Sequence, residues 1–103
     1  MADTNNETPT VAPSEIENFK RALYIDGTEE DDLITDYLAN AKAYVQNAVD
    51  PNADLTKYHQ YDWAVQMLAQ FWYQNRAIDM KQTPYQVLSM IQQLRGLTYS
   101  KSE

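Results

Sequence analysis

Cysteine is absent from the chain, histidine occurs once and glycine twice. The first absence excludes disulfides, thiol catalysis and the common cysteine-bearing zinc sites. A lone His59 excludes a two-histidine metal site, and no catalytic motif surrounds it. With only Gly27 and Gly96, there is no glycine-rich loop to cradle phosphate. No apolar run approaches the roughly 18 residues that read as a membrane span. The N-terminus, MADTNNETPTVAPS, lacks both the basic start and the apolar centre of a signal peptide, which predicts a chain that stays in the cytoplasm or is assembled from it. Strand-period alternation, internal repeats and low-complexity blocks are missing too.

What is present fits one small domain. The chain has 103 residues, 44% of them hydrophobic, enough for a single core. A domain of this size buries only part of its unfolded surface, so it has little stability to spare. Eight tyrosines and two tryptophans enrich the side chains that favour interfaces, each with an apolar body and a polar tip. The net charge of −7 is unevenly placed. Residues 1–37 hold ten acids against Lys20 and Arg21, a net −8; residues 38–103 hold five acids against six bases, a net +1. That distribution argues against wrapping DNA, which needs clustered Lys and Arg. It suits a head-to-tail oligomer in which an acidic face meets a neutral or basic one, although a solvated acidic face that aids solubility is the simpler reading.

Helical spacing predicts an all-α chain, a small bundle of four helices with the first one short. Residues 1–13, polar and carrying Pro9 and Pro13, read as a disordered N-terminal arm. Residues 14–96 form the helical domain and 97–103 a C-terminal tail. Ser14 and Glu17 fit a capping box, and Ile16, Phe19 and Leu23 share a face before the Asp26-Gly27 turn. Thr28 is the expected start of the second helix, with Glu29, Glu30, Asp31 and Asp32 against the positive end of its dipole. Its apolar stripe runs through Leu33, Ile34, Tyr37, Leu38, Ala41, Val45, Ala48 and Val49 until Asp50-Pro51-Asn52 ends it. A third helix over about Lys57 to Ile78 is the most aromatic and apolar part of the chain. Tyr61, Ala64, Val65, Leu68, Phe71 and Trp72 form its main face, widened by Trp63, Met67 and Tyr73. Helices this apolar all round are central or covered in an oligomer. Thr83-Pro84-Tyr85-Gln86 predicts the fourth start; Val87, Leu88, Ile91 and Leu94 its apolar face; Arg95 its last turn and Gly96 its stop.

No catalytic set emerges, and neither a cofactor nor a metal site is expected. The four carboxylates at 29–32 lack the alternating ligands and central glycine of a calcium loop and are explained by capping. Phe71, Trp72 and Tyr73 point about 100° apart on a helix, which suits core packing better than a stacking platform for single strands. Arg76, one turn beyond Trp72, can snorkel along the core, bond loop carbonyls or pair with an acid of a neighbouring subunit.

Taken in order, these segments resemble the head–tail connector family of tailed bacteriophages, the adaptor or head-completion proteins. LYIDGTEEDDLITDYLANAKAYV is similar to that family's opening, which reads hydrophobic-x-Ile-Asp, then Asp-Asp-x-Leu, then an Ala-rich helix with an aromatic-Val pair. Trp72, Tyr73, Asn75 and Arg76 match its aromatic-Tyr-x-Asn-Arg segment. Pro84, Val87, Met90, Ile91, Leu94 and Arg95 match its last helix. The likeness covers about residues 15–96. One departure is Gln93-Leu94-Arg95, where many members carry Pro-Tyr-Arg.

The resemblance implies a structural virion protein, not an enzyme. It would be assembled in the host cytoplasm into a ring of about a dozen copies, a closed heterologous assembly. That ring would dock on the portal protein, meet a tail or stopper protein, and extend the channel through which DNA passes without specific binding. No membrane is involved. Candidate interface or channel residues are Glu29, Glu30, Asp31, Asp32, Trp72, Tyr73, Asn75, Arg76 and Arg95. The acids would line the channel or pair with Lys42, Lys57 or Arg76 of the next subunit. Two alternatives stay open: a DNA-packaging accessory that contacts DNA directly, and a small adaptor or regulator without a ring role.

Overall fold

The computed structural model describes residues 10–76 and 83–101. They form α1 (Pro13–Leu23), α2 (Asp31–Val49), α3 (His59–Gln74) and α4 (Tyr85–Lys101), with a single 3-10 turn, Leu55–Lys57, leading into α3. No strand occurs among the described residues. The four-helix, all-α expectation is met, with α1 the shortest helix.

Local chemistry sets the helix ends, and it moves several of them. Pro13, not Ser14, opens α1, because its fixed φ is already helical. The expected Ser14–Glu17 box is therefore shifted by two residues, to Ala12 and Glu15, and halved. Glu15 Oε1 accepts from the Ala12 N–H at 2.7 Å, while Ala12 has no side-chain acceptor to return. Tyr24, in the left-handed region at φ 58°, reverses the chain at the other end. Its N–H donates to the Arg21 carbonyl, and the Ile25 N–H donates to the Lys20 carbonyl at 2.9 Å. Gly27 supplies the second positive φ, at 82°, in the expected Asp-Gly turn.

The α2 helix begins at Asp31 rather than Thr28. The Thr28 carbonyl closes a turn onto the Asp31 N–H at 3.2 Å, which uses residues 28–30 before the ladder starts. Asp31 and Asp32 then occupy its first turn, where the dipole favours acids. Asp54 accepts from the Thr56 N–H at 3.1 Å and forms the 3-10 turn, so α3 starts at His59 instead of Lys57. The expected end of α3 near Ile78 lies outside the described residues. At α4 the Pro84 carbonyl takes the first bonds, from the Val87 and Leu88 N–H groups, and Thr83 bonds the Tyr44 hydroxyl at 2.8 Å.

Gly96 does not stop α4. The helix continues to Lys101, so residues 97–101 of the expected tail are helical. Glycine ends a helix by taking a positive φ, and Gly96 does not. No proline follows to force a stop, and helical neighbours outweigh one weak helix former. The expected arm at 1–13 falls mostly outside the described residues, and its last residue, Pro13, belongs to α1.

The core lies between α2 and α3, capped on one side by α1 and on the other by α4. Its most deeply buried side chains are Phe19, Ile34, Leu38, Val45, Leu55, Val65, Leu68, Val87 and Leu94. Each large one stabilises the fold by about 1.5–3 kcal/mol. Ala39, Ala41, Ala64 and Ala69 are buried as well, and the last three belong to the same core cluster. Two ion pairs hold α1 antiparallel to α2: Lys20–Asp31 at 2.7 Å and Lys42–Glu15 at 2.9 Å. Leu33, Trp63 and Leu88 leave the expected core faces and are exposed. Each directly precedes or follows a buried residue, Ile34, Ala64 or Val87, and a step of 100° turns it out to solvent.

Candidate assembly surface

The last turn of α3 is where most of the sequence-predicted residues meet. Tyr73 is the hub. Its ring contacts Phe19 edge to face at 5.4 Å and Tyr37 at 6.2 Å between centroids. Its hydroxyl donates to Glu30 Oε1, and the Arg76 guanidinium lies over its ring at 4.3 Å. The hydrogen bond to Glu30 is the main reason the Tyr73 phenol is pushed above its usual range; burial adds to it. One cluster thus joins α1, the start of α2 and the end of α3.

The neighbours of Tyr73 close the helix end. Asn75 donates twice to the Phe71 carbonyl, from its backbone N–H at 3.0 Å and its side-chain amide at 2.8 Å. Arg76 Nη1 donates to the Tyr73 carbonyl. The Asn75 N–H makes the last bond of the helical ladder, its side-chain amide adds a second donor to the same carbonyl, and the Arg76 cation sits on the Tyr73 carbonyl that the ladder leaves unpaired. Trp72 is buried, with the Tyr44 ring edge to face at 6.1 Å. Its indole N–H has no hydrogen-bond partner among the described residues.

The acidic cluster is divided. Glu30 belongs to Tyr73 and Asp31 to Lys20, while Glu29 and Asp32 are exposed and make no hydrogen bond to a described residue. Arg95 lies elsewhere: its Nε donates to the Ala48 carbonyl at 2.8 Å, tying α4 to the C-terminal end of α2. So the structure brings together Glu30, Tyr73, Asn75 and Arg76, with Trp72 adjoining them in the core, and leaves Arg95 apart.

Three features escaped the reading of residue spacing. One is a polar cluster around Glu15. Lys42 Nζ bonds Glu15 at 2.9 Å and the Thr10 carbonyl at 2.8 Å, and Gln66 donates to the Glu15 carbonyl at 3.0 Å. Burial first, then the charges of Glu15 and Asp62, push the Tyr61 phenol up to about 12. Asp62 is also raised, by burial and then Glu15. The second feature is Tyr24, 93% exposed at the α1–α2 corner. The third is a groove of about 260 Å³ between α3 and α4 with Trp63, Met67, Tyr85 and Met90 in its lining. A sequence signal for the last two existed: each includes an aromatic outside the main helical stripe.

Among the described residues no group of three or more acids or histidines is placed to hold a metal ion, and no helix is long and apolar enough to cross a membrane. No curated protein and no solved structure gives a significant match to the chain. A family model does: phage gp6-like head-tail connector protein matches residues 13–96, from the first residue of α1 to Gly96 in α4, and the chain therefore belongs to that family.

Proposed function

We propose that this chain is the repeating subunit of a connector ring that docks on the portal of the filled capsid and extends the DNA channel toward the tail. Family membership makes it a structural component of the phage virion. The ring, the portal and the tail-side partner are the further step. The observation that carries it is the extent of the family match, which runs through α1, α2 and α3 and most of α4.

The charge distribution supports the reading. Asp26, Glu29, Asp32 and Asp36 are exposed on or beside the start of α2. In a ring they either face the channel, where negative lining keeps passing DNA from adhering, or meet cations of the next copy. The chain is too acidic to hold DNA by phosphate neutralisation. Reversing Glu29 and Asp32 to lysine separates the two roles. Channel lining predicts normal assembly on the portal with altered DNA retention in the particle. A subunit contact predicts failed assembly. If both assembly and retention match the wild type, neither role holds.

A further inference from the structure

The corner between α1 and α2 carries the only step in the sequence where an aspartate or asparagine precedes glycine, Asp26-Gly27. Glycine has no Cβ to keep a neighbouring group away from its nitrogen, and it reaches backbone conformations closed to other residues. Residue 27 needs both properties. Its φ is 82°, and the Glu29 carboxylate fills the space that a Cβ would take. Asp26, Gly27 and Thr28 are exposed and lie between the helices, after Leu23 and before Asp31. Among the described residues nothing donates to the Asp26 carboxylate, and the Gly27 N–H has no acceptor. A side-chain carboxyl and the next main-chain nitrogen are thus both solvated and unrestrained.

Every other described aspartate lacks one of these conditions. Asp31, Asp32, Asp36 and Asp62 are helical and precede larger residues. Asp50 precedes Pro51, whose nitrogen has no hydrogen to lose. Asp54 precedes Leu55, and bonds from the Thr56 hydroxyl and then its N–H hold the Asp54 carboxyl below the usual range, as a weak electrophile.

We propose that Asp26-Gly27 is a site of spontaneous backbone rearrangement, from aspartate through a cyclic imide to isoaspartate. The Gly27 nitrogen attacks Asp26 Cγ and gives up its proton, and a carboxyl oxygen leaves as water. The new N–Cγ bond closes a five-membered succinimide. Water then adds to one of the two ring carbonyl carbons. Breaking the N–Cγ bond restores aspartate. Breaking the bond from the Gly27 nitrogen to the Asp26 main-chain carbonyl carbon leaves the chain running through Cβ and Cγ. One water departs and one returns, so no oxidant, metal or enzyme is needed. The product has a main chain one methylene longer and a carboxylate on Cα. The bond from the Ile25 N–H to the Lys20 carbonyl closes α1 before the site, and the Thr28–Asp31 turn opens α2 after it. The change therefore falls on the exposed corner with Tyr24 and Glu29, not on the core, and its assignment is independent of the ring reading.

The test holds the full folded chain at neutral pH and host growth temperature and samples it over time. Digests are read by chromatography with mass spectrometry, and intact samples by circular dichroism. The expected result is loss of one water's mass from the peptide spanning Asp26, followed by a second peak at the parent mass. A protease that cuts before aspartate loses its cut there, while helix content stays constant. Asp26→Glu keeps the charge but can close only a slower six-membered ring, so it should show neither the mass loss nor the new peak. Conversion confined to denaturant would mean that the folded corner protects the site, and overturns the proposal. The same new peak in Asp26→Glu, or no conversion in either state, overturns it as well. Helicity falling in step with conversion would overturn its confinement to the corner.

Discussion

Substituting Gly96 by alanine decides, by its sign, how the chain ends. In the sequence Gly96 looks like a helix stop; in the structure it lies inside α4, five residues before Lys101. Its φ is not positive, and a Cβ added to it meets nothing within 4 Å. Alanine therefore removes backbone entropy from the unfolded chain without a clash. The gain is about 0.5–1 kcal/mol at a helix-interior site. For a domain of this size about 1 kcal/mol raises the melting temperature by roughly 4–8 °C. Thermal denaturation followed by circular dichroism at 222 nm reads both the shift and any added helicity. A rise of a few degrees supports a continuous α4. A fall would mean that Gly96 needs positive φ and terminates the helix, which would refute the reasoning.

Two further substitutions test the two ends of α3. Arg76→Ala removes the stacking on Tyr73 and the bond to its carbonyl, an exposed arrangement worth about 1 kcal/mol in urea denaturation. Arg76→Lys should recover only part of that, because an ammonium lacks the planar fork. Lost assembly with unchanged stability would move Arg76 from the helix end to the subunit contact. Tyr61 supplies the pH dependence. Its folded pKa of about 12 exceeds the unfolded 10.0, so the folded state keeps its proton longer. The associated stability is complete below about pH 10 and declines as pH rises toward 12. Tyr61→Phe should flatten that alkaline slope in pH-dependent urea titrations, and an unchanged slope would contradict the buried phenol.

The sequence made the helices legible because the core stripes are regular. Ile34, Leu38 and Val45, and Ala64, Val65 and Leu68, are buried as their spacing required. Boundaries were less legible, since they depend on which of several adjacent signals wins. Pro13 prevailed over Ser14, and a Thr28 turn displaced the start of α2. Gly96 misled because glycine reads as a stop only where the backbone adopts positive φ, which composition does not encode. The cluster at the end of α3 was half legible. Trp72, Tyr73, Asn75 and Arg76 stood out as a group, but the Tyr73–Glu30 pairing spans 43 residues and needs the fold to create it. The α3–α4 groove was illegible for the same reason: Trp63 and Tyr85 belong to separate helices, and only packing places both in the lining of one groove.

The central claim is that this subunit assembles on a portal. Native mass measurement of the full chain, alone and mixed with the portal of its own phage, tests it most directly. The account predicts a portal-bound complex carrying multiple copies of the chain, even if the free chain is monomeric. Failure of the chain to join the portal under any condition would contradict it.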